Sequence, residues 1–193
     1  ADKGGSWSTA GAPTAFAVSG GVARIALDEG STRSARLTAV ATDDADVRLL
    51  LTTDKVPTGT AYLSVLARAI ESFAYRCRVI VEAGTAHASI TRADGNDALT
   101  HLTDKIHTFD VTAGDAMGVR CQAEGSSPTV LRMKLWRAVL GEPAAWTLTA
   151  TDASATLQAP GTVGVHLYMG TSANGTVTVS MDDLLVHPAS RMP

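Results

Sequence analysis

The chain has 193 residues, of which 45% are hydrophobic, 5% aromatic and 18% charged, and its formal net charge at pH 7 is −3. A chain of this length buries about 70% of its unfolded surface, so one core suffices without metals or disulfides. The acidic balance argues against non-specific nucleic-acid binding, which needs a basic domain or a dense basic stripe. No stretch approaches the roughly 20 apolar residues of a membrane span, and no signal-peptide pattern opens the chain.

Short runs of alternating apolar and polar residues follow one another along the chain, which predicts antiparallel strands with one buried face. The 17 glycines fall mostly between these runs, as the turns of an all-β protein require. The segment 61–70 is apolar on both faces and predicts a central strand that is covered on both sides. We predict strands, in chain order, at 16–18, 22–27, 34–41, 46–53, 60–70, 73–82, 86–92, 98–102, 105–111, 116–124, 130–138, 145–150, 163–169 and 176–186.

Turn signals lie between these strands, at 19–21, 94–96, 125–128 and 174–175. The Asn-Gly pair at 174–175 is the strongest, because a two-residue type I′ turn needs positive φ at both central positions. So many strands are too many for one flat sheet. We therefore predict an all-β jelly roll, a two-sheet antiparallel β-sandwich over 1–187 with less than about 10% helix, followed by a tail or linker stub at 188–193.

Three runs alternate most clearly, and their outward positions are rich in cations. The inward residues are Tyr75, Cys77, Val79, Val81, Met117, Val119, Cys121, Ala123, Leu131, Met133 and Leu135. The outward residues, predicted to be exposed to water, are Arg76, Arg78, Ile80, Arg120, Gln122, Arg132, Lys134 and Trp136.

This outward face is the predicted ligand platform. The indole of Trp136 would pack on a sugar ring, while Arg132, Lys134, Arg78 and Arg120 donate to hydroxyls or acidic groups. Such a face favours acidic glycans or wall polymers. The alternative is that Trp136 folds onto the loop at 143–146 and belongs to the core.

Cys77 and Cys121 both fall on inward positions, which leaves two interpretations open. They are either buried free thiols that pack as small hydrophobic groups, or a disulfide between the sheets that closes a long loop. Two cysteines without a CxxC spacing do not make a zinc site.

Residues suited to catalysis are not grouped in this sequence. A glycosidase needs two carboxylates held across a cleft, and the glutamates lie singly near strand ends or loops. The histidines show no HExxH spacing, and no GxSxG motif is present. We therefore predict a non-catalytic protein without an organic cofactor.

The segments 4–7 and 16–25 resemble the opening of a β-jelly-roll module of the concanavalin-like, laminin-G-like class. Those at 46–48, 75–78, 142–146, 161–165 and 180–184 resemble the rest of it. The whole pattern is similar to that of minor tail proteins of phages infecting actinobacteria, and of accessory modules of secreted actinobacterial glycosidases. In this pattern a short strand precedes the position equivalent to Ala1, so we expect the chain to be a segment of a longer parent.

The resemblance implies a non-catalytic module of a phage tail-tip or minor tail protein, located in the virion tail. Its expected partners are a cell-surface or cell-wall glycan of the bacterial host and other tail proteins, with no nucleic acid and no membrane. One alternative is a carbohydrate-binding accessory module of a secreted, extracellular enzyme. Another is a structural spacer or oligomerisation domain, for which a homotrimer is the expected assembly.

Jelly rolls of this class often hold a structural calcium ion near the chain ends, and calcium takes several oxygen ligands. The resemblance therefore implies a candidate calcium site at Asp2, Asp182 and Asp183. Strand alternation lets only one of Asp182 and Asp183 face a given side. The alternative is a strand end that is simply solvated.

Overall fold

Strands account for nearly all of the regular structure. The computed structural model describes residues 5–96, 98–172 and 175–189. These ranges contain three short 3-10 helices, Pro13–Ala15, Ala138–Leu140 and Ala155–Leu157, and none of their helices is long and apolar enough to cross a membrane. The strands are β1 (Trp7–Ala10), β2 (Phe16–Ser19), β3 (Val22–Leu27), β4 (Thr32–Thr42), β5 (Ala45–Thr53), β6 (Thr60–Ile70), β7 (Phe73–Glu82), β8 (Thr85–Asp94), β9 (Leu99–His101), β10 (Ile106–Asp110), β11 (Met117–Glu124), β12 (Thr129–Arg137), β13 (Leu148–Asp152), β14 (Gly161–Met169) and β15 (Val177–His187).

The strands pair into two antiparallel sheets. The eight-stranded sheet has the order β1-β4-β14-β6-β7-β8-β10, with β9 also paired to β8, and the seven-stranded sheet has the order β13-β12-β11-β5-β15-β3-β2. The predicted two-sheet antiparallel sandwich is therefore confirmed. Strand β1 has no predicted counterpart, since three of its four residues are exposed and show no alternation. Strand β13 occupies Leu148–Asp152 rather than the predicted 145–150.

The core lies between the two sheets, and the predicted inward residues all belong to it. Each inward residue of the three runs is at most 5% exposed. Strand β6 is buried on both faces, as predicted, since Leu63 and Leu66, which point to opposite faces, are both fully buried. Leu66 packs with Ala93 and Leu99 in a small cluster outside the main core.

The predicted exposure of the outward face is wrong. The outward residues other than Arg132 are only 3% to 8% exposed; they are Arg76, Arg78, Ile80, Arg120, Gln122, Lys134 and Trp136. On the seven-stranded sheet a loop covers part of this face, which strand periodicity does not reveal. Trp146, in the loop before β13, lies 5.1 Å from the Arg120 guanidinium carbon and 4.9 Å from Lys134 Nζ, measured to its ring centroid.

A disulfide between Cys77 in β7 and Cys121 in β11 joins the two sheets across the core, with 5.7 Å between the Cα atoms. The bond decides between the two interpretations of these cysteines. The bond also shows which way the neighbouring side chains point. Both sulfur atoms point inward, so Arg78 beside Cys77 and Arg120 beside Cys121 point outward. They point away from each other, towards opposite outer faces of the sandwich.

We expect the disulfide to contribute substantially to stability. Its cysteines are 44 positions apart, and the chain-entropy model gives about 4 kcal/mol for closing a loop of this length. Urea unfolding of the oxidised protein and of the Cys77→Ala/Cys121→Ala variant measures the difference. A change in unfolding free energy below about 1 kcal/mol would show that the bond does not constrain the unfolded chain.

Candidate functional site

The structure separates the five residues of the predicted ligand platform. Trp136, Arg132, Lys134 and Arg120 lie on β11 and β12, on the outer face of the seven-stranded sheet. Arg78 lies on β7, on the outer face of the eight-stranded sheet. One platform containing all five residues is therefore wrong, because the core and the disulfide lie between Arg78 and the others.

The cations of the seven-stranded sheet are paired with acidic side chains. Arg120 donates to both carboxylate oxygens of the fully buried Asp46, at 2.8 to 3.1 Å, and to Glu142 at 2.9 Å. Lys134 donates to the same Glu142 oxygen at 2.9 Å. Arg132 pairs with Glu124 at 2.6 Å. The donors intended for a ligand are thus largely occupied within the protein.

The pairing keeps Arg120 and Glu142 charged. Hydrogen bonding to Asp46 outweighs burial and raises the pKa of Arg120 above its ordinary value. Burial by itself would raise the pKa of Glu142, but the hydrogen bonds from Lys134 and Arg120 outweigh it and hold that pKa below its ordinary value. The result is an internally neutralised network rather than a basic surface.

Trp136 is packed as a structural side chain. It is 6% exposed, and its ring lies over Gly118 of the neighbouring strand. A Cβ atom at position 118 would lie 2.1 Å from the indole, so glycine is needed there for the ring to fit. The placement agrees with the alternative interpretation of Trp136 as a buried residue, although one edge borders a groove of about 420 Å³ beside Arg48 and Leu185.

Replacing Asp46 by Ala is expected to lower the free energy of unfolding by about 3 kcal/mol or more, because Arg120 would remain buried without its main partner. Urea unfolding measures the loss. The variant Asp46→Ala/Arg120→Met removes both charges and should recover much of it. If the double variant is less stable than Asp46→Ala, the unpaired charge is not the source of the destabilisation.

A different cluster closes one end of the sandwich. The fully buried Arg68 donates to Thr129 Oγ1 at 2.7 Å and to the carbonyl oxygens of Leu157 and Gly125 at 2.8 and 2.9 Å. Tyr75 donates to Asp152 at 2.8 Å, and burial together with this bond raises the pKa of Tyr75 to about 12. These bonds connect loops to the sheets and give the cluster a structural role.

The outer face of the eight-stranded sheet carries a different set of side chains. Two neighbouring rows cross strands β4, β14, β6, β7 and β8. The first row is Thr32, Tyr168, Tyr62, Ile80 and His87, and the second is Ser34, His166, Ser64, Arg78 and Ser89. Aromatic, hydroxyl, imidazole and guanidinium groups are thus presented together on the central strands.

Three of these side chains form a stack across adjacent strands. The rings of Tyr62 and Tyr168 lie 5.8 Å apart, with 19° between their planes. The guanidinium carbon of Arg78 lies 4.5 Å from the Tyr62 ring centroid. Because β6 lies between β14 and β7, the order of the stack is Tyr168, Tyr62, Arg78. Tyr168 forms its outer end, beside the small and exposed Thr32.

A groove of about 330 Å³ opens along this stack, which we call the tyrosine groove. Its described lining includes no carboxylate and consists of Thr32, Tyr62, Ser64, Arg76, Arg78, Leu99, His166 and Tyr168. A size near 300 Å³ lies at the lower end of the range of small-ligand sites, and most of the lining side chains are polar, with aromatic surface from the two tyrosines. On a chain of net charge −3, this lining is locally basic.

Sequence reasoning identified Arg78 but missed its neighbours in the groove. Outward positions of two largely apolar strands, β6 and β14, are occupied by Tyr62, Ser64, His166 and Tyr168. Two polar residues at i and i+2 in each strand are a signal that alternation could have provided. Only long-range pairing brings the two signals together, because β14 inserts between β4 and β6.

The calcium prediction remains a prediction. Asp2 lies outside the described residues. Asp182 and Asp183 are exposed at an irregularity in the pairing of β15 with β5, where Asp183 has a φ of 51° and its amide donates to Asp182. Within the described ranges, no group of three or more His, Cys, Asp or Glu side chains is placed to hold a metal ion.

Several solved structures share this fold at low sequence identity. A carbohydrate-binding module from Bacillus subtilis matches with a TM-score of 0.64 and 12% identity over 94% of both chains. A legume lectin-like domain from Entamoeba histolytica matches with a TM-score of 0.60 and 11% identity, over 94% of this chain and 89% of that one. An alginate lyase matches with a TM-score of 0.56 and 8% identity, over 90% and 83% of the two chains.

No model of a known protein family matches the sequence, and no curated protein matches it. At the identities of the solved structures, the likeness establishes the fold alone. The chain therefore has a concanavalin-like jelly-roll sandwich, a fold that carries both sugar-binding and catalytic proteins.

Proposed function

We propose that the chain is a non-catalytic glycan-binding module whose binding site is the tyrosine groove. The observation that carries this proposal is the tyrosine pair on the central strands, with hydroxyl, imidazole and guanidinium groups in the adjacent row. Aromatic surface packs on the apolar C–H face of a sugar ring, while nearby donors and acceptors meet its hydroxyls. The carbohydrate-binding module and the lectin-like domain that share this fold support the same choice.

The groove is favoured over the predicted Trp136 platform for two reasons. First, the cations around Trp136 are engaged with Asp46, Glu142 and Glu124. Second, Trp136 is nearly buried, whereas Tyr62 and Tyr168 retain intermediate exposure. A ligand at the groove therefore displaces fewer internal contacts.

The biological setting follows from the sequence resemblance. We place the module in a minor tail or tail-tip protein of an actinobacterial phage, in the virion tail, where it binds a host cell-surface glycan or contributes to tail assembly. The alternative is an extracellular accessory module of a secreted enzyme, which the carbohydrate-binding module among the similar structures supports. A structural calcium ion and a trimeric assembly belong to the same proposal.

Replacing Tyr168 by Ala is expected to weaken glycan binding by roughly 1 to 3 kcal/mol, or about fivefold to 150-fold, the loss typical of an aromatic hot spot. A panel of neutral and acidic bacterial wall, plant and algal polysaccharides identifies the ligand, and titration calorimetry measures its affinity. Melting temperatures of both proteins establish that the variant is folded.

Trp136→Phe is the matched control on the other sheet. It removes part of an aromatic side chain outside the groove and is expected to leave glycan affinity unchanged. If Trp136→Phe weakens binding while Tyr168→Ala does not, the site lies on the seven-stranded sheet and the groove assignment is wrong.

We expect no turnover of the bound polysaccharide between about pH 4 and 9, the range in which general acid and base groups operate. The test is needed because His166 lies in the same groove as two tyrosines and two arginines, and alginate lyases share the fold. Reducing ends and the ultraviolet absorbance of unsaturated uronates measure any product. Reproducible turnover that disappears in His166→Ala would establish an enzyme instead of a binding module.

A further inference from the structure

We infer that the tyrosine groove selects glycans carrying an anionic substituent, a carboxylate or a sulfate ester, and that Arg78 is the residue that binds it. This inference rests on the proposed function and specifies its ligand class. It starts from Arg78, a buried cation that has no hydrogen-bond acceptor among the described residues.

Arg78 is buried without an ionic partner. It is 8% exposed, and among the described residues its guanidinium makes no hydrogen bond and no ion pair. The guanidinium contacts the ring of Tyr62. Burial lowers the pKa of Arg78. The nearby Arg76 lowers that pKa further, and Tyr62 acts in the opposite direction. A cation–π contact provides only about 0.5 to 2 kcal/mol, less than the several kcal/mol that burying an ion costs.

Three other buried cations are compensated. Arg120 has Asp46 and Glu142, and Lys134 has Glu142. Arg68, which pairs with no carboxylate among the described residues, donates to the hydroxyl of Thr129 and to the carbonyl oxygens of Leu157 and Gly125. These three cations are surrounded by acceptors, whereas among the described residues Arg78 has an aromatic face in their place.

The surroundings of Arg78 suit an oxygen-rich anion. Its five guanidinium donors have the planar geometry that binds two oxygens of a carboxylate or a sulfate at once. Ser64 on β6 and Ser89 on β8 flank it in the same row. The Ser89 hydroxyl is buried and has no hydrogen-bond partner among the described residues. No described carboxylate of the groove lining would repel the anion.

The geometry also couples the charge to sugar stacking. Arg78 and Tyr168 flank Tyr62. A sugar ring that contacts Tyr168 is therefore separated from the Arg78 guanidinium by little more than the Tyr62 side chain. A substituent on that sugar or on its neighbour in the polymer can reach the guanidinium. The tyrosines thus recognise the sugar surface, and Arg78 recognises its charge.

The experiment uses matched probes that differ only in charge. For the carboxylate, the probes are oligogalacturonate and its fully methyl-esterified form. For the sulfate ester, they are a sulfated galactan oligosaccharide and its desulfated form. We expect at least one anionic probe to bind about tenfold or more tightly than its neutral counterpart, the contribution of a charge-assisted hydrogen bond. Added salt should weaken binding of the anionic probe and leave the affinity of the neutral probe unchanged.

Three variants assign the selectivity to Arg78. Arg78→Met should reduce the affinity of the anionic probe about tenfold or more and leave that of the neutral probe within about twofold. Arg78→Lys keeps the charge without the planar fork. Its affinity for the anionic probe should lie between those of the unaltered protein and Arg78→Met. The matched control is Arg132→Met on the other sheet, which should change neither affinity.

Stability provides a second readout. Because Arg78 lacks a compensating acceptor, Arg78→Met should not lower the melting temperature and is expected to raise it. A large drop in melting temperature, with unchanged binding of the anionic probe by the folded fraction, would show a structural role and overturn the inference.

The outcomes separate this inference from the proposed function. Equal binding of charged and neutral probes, with losses in Tyr168→Ala only, keeps the glycan-binding function and rejects charge selection. If Arg78→Met loses affinity equally for the charged and the neutral probe, charge selection by Arg78 is also rejected. Absence of binding to every polysaccharide of the panel rejects the proposed function, and the inference with it. Selectivity for one anionic pair identifies the substituent as carboxylate or sulfate.

Discussion

The cost of burying cationic side chains constrains both outer faces of this sandwich. An ion moved out of water loses several kcal/mol of hydration, which nearby acceptors must replace. Arg120 and Lys134 meet this requirement through Asp46 and Glu142, and Arg68 meets it through carbonyl and hydroxyl oxygens. Within the described part of the chain, Arg78 has only the face of Tyr62. We attribute to this constraint the proposed difference between the two outer faces, one neutralised and one able to accept an anion.

The disulfide and the core keep the two faces independent. Cys77 and Cys121 meet between the sheets, so every outward residue of β7 is separated from every outward residue of β11 by the full thickness of the sandwich. A ligand on one face makes no contact with the other. The paired network around Asp46 therefore stabilises the scaffold without competing for the ligand, and variants on that sheet serve as controls for variants in the groove.

Strand periodicity predicted the fold and the direction of individual side chains. A period of two correctly separated Tyr75, Cys77 and Val79 from Arg76 and Arg78, because alternation is a local property of an extended chain. Membership of a sheet is not local. Arg78 and Arg120 look equivalent in sequence, and only the pairing of β7 with β6 and of β11 with β5 assigns them to different sheets.

Burial of the outward face was equally inaccessible to sequence reasoning. Whether a residue such as Trp136 or Lys134 meets water depends on where a distant loop lies, and Glu142 and Trp146 come from such a loop. The sequence contained the acidic partners, including Asp46 and Glu142, but nothing in their spacing indicated a contact with Arg120. Ion pairs between residues 74 positions apart are set by the fold.

The position of the tyrosine groove has a consequence for recognition. Its main side chains stand on β14, β6 and β7, three adjacent strands whose inner faces are fixed in the core. Side chains on such strands lose little further freedom when a ligand binds, which reduces the entropic cost of association. A loop-based site would adapt to many ligands, whereas this one holds Tyr62, Tyr168 and Arg78 at fixed spacings. Selectivity should therefore depend on how well the distance between a sugar face and its charged substituent matches those spacings.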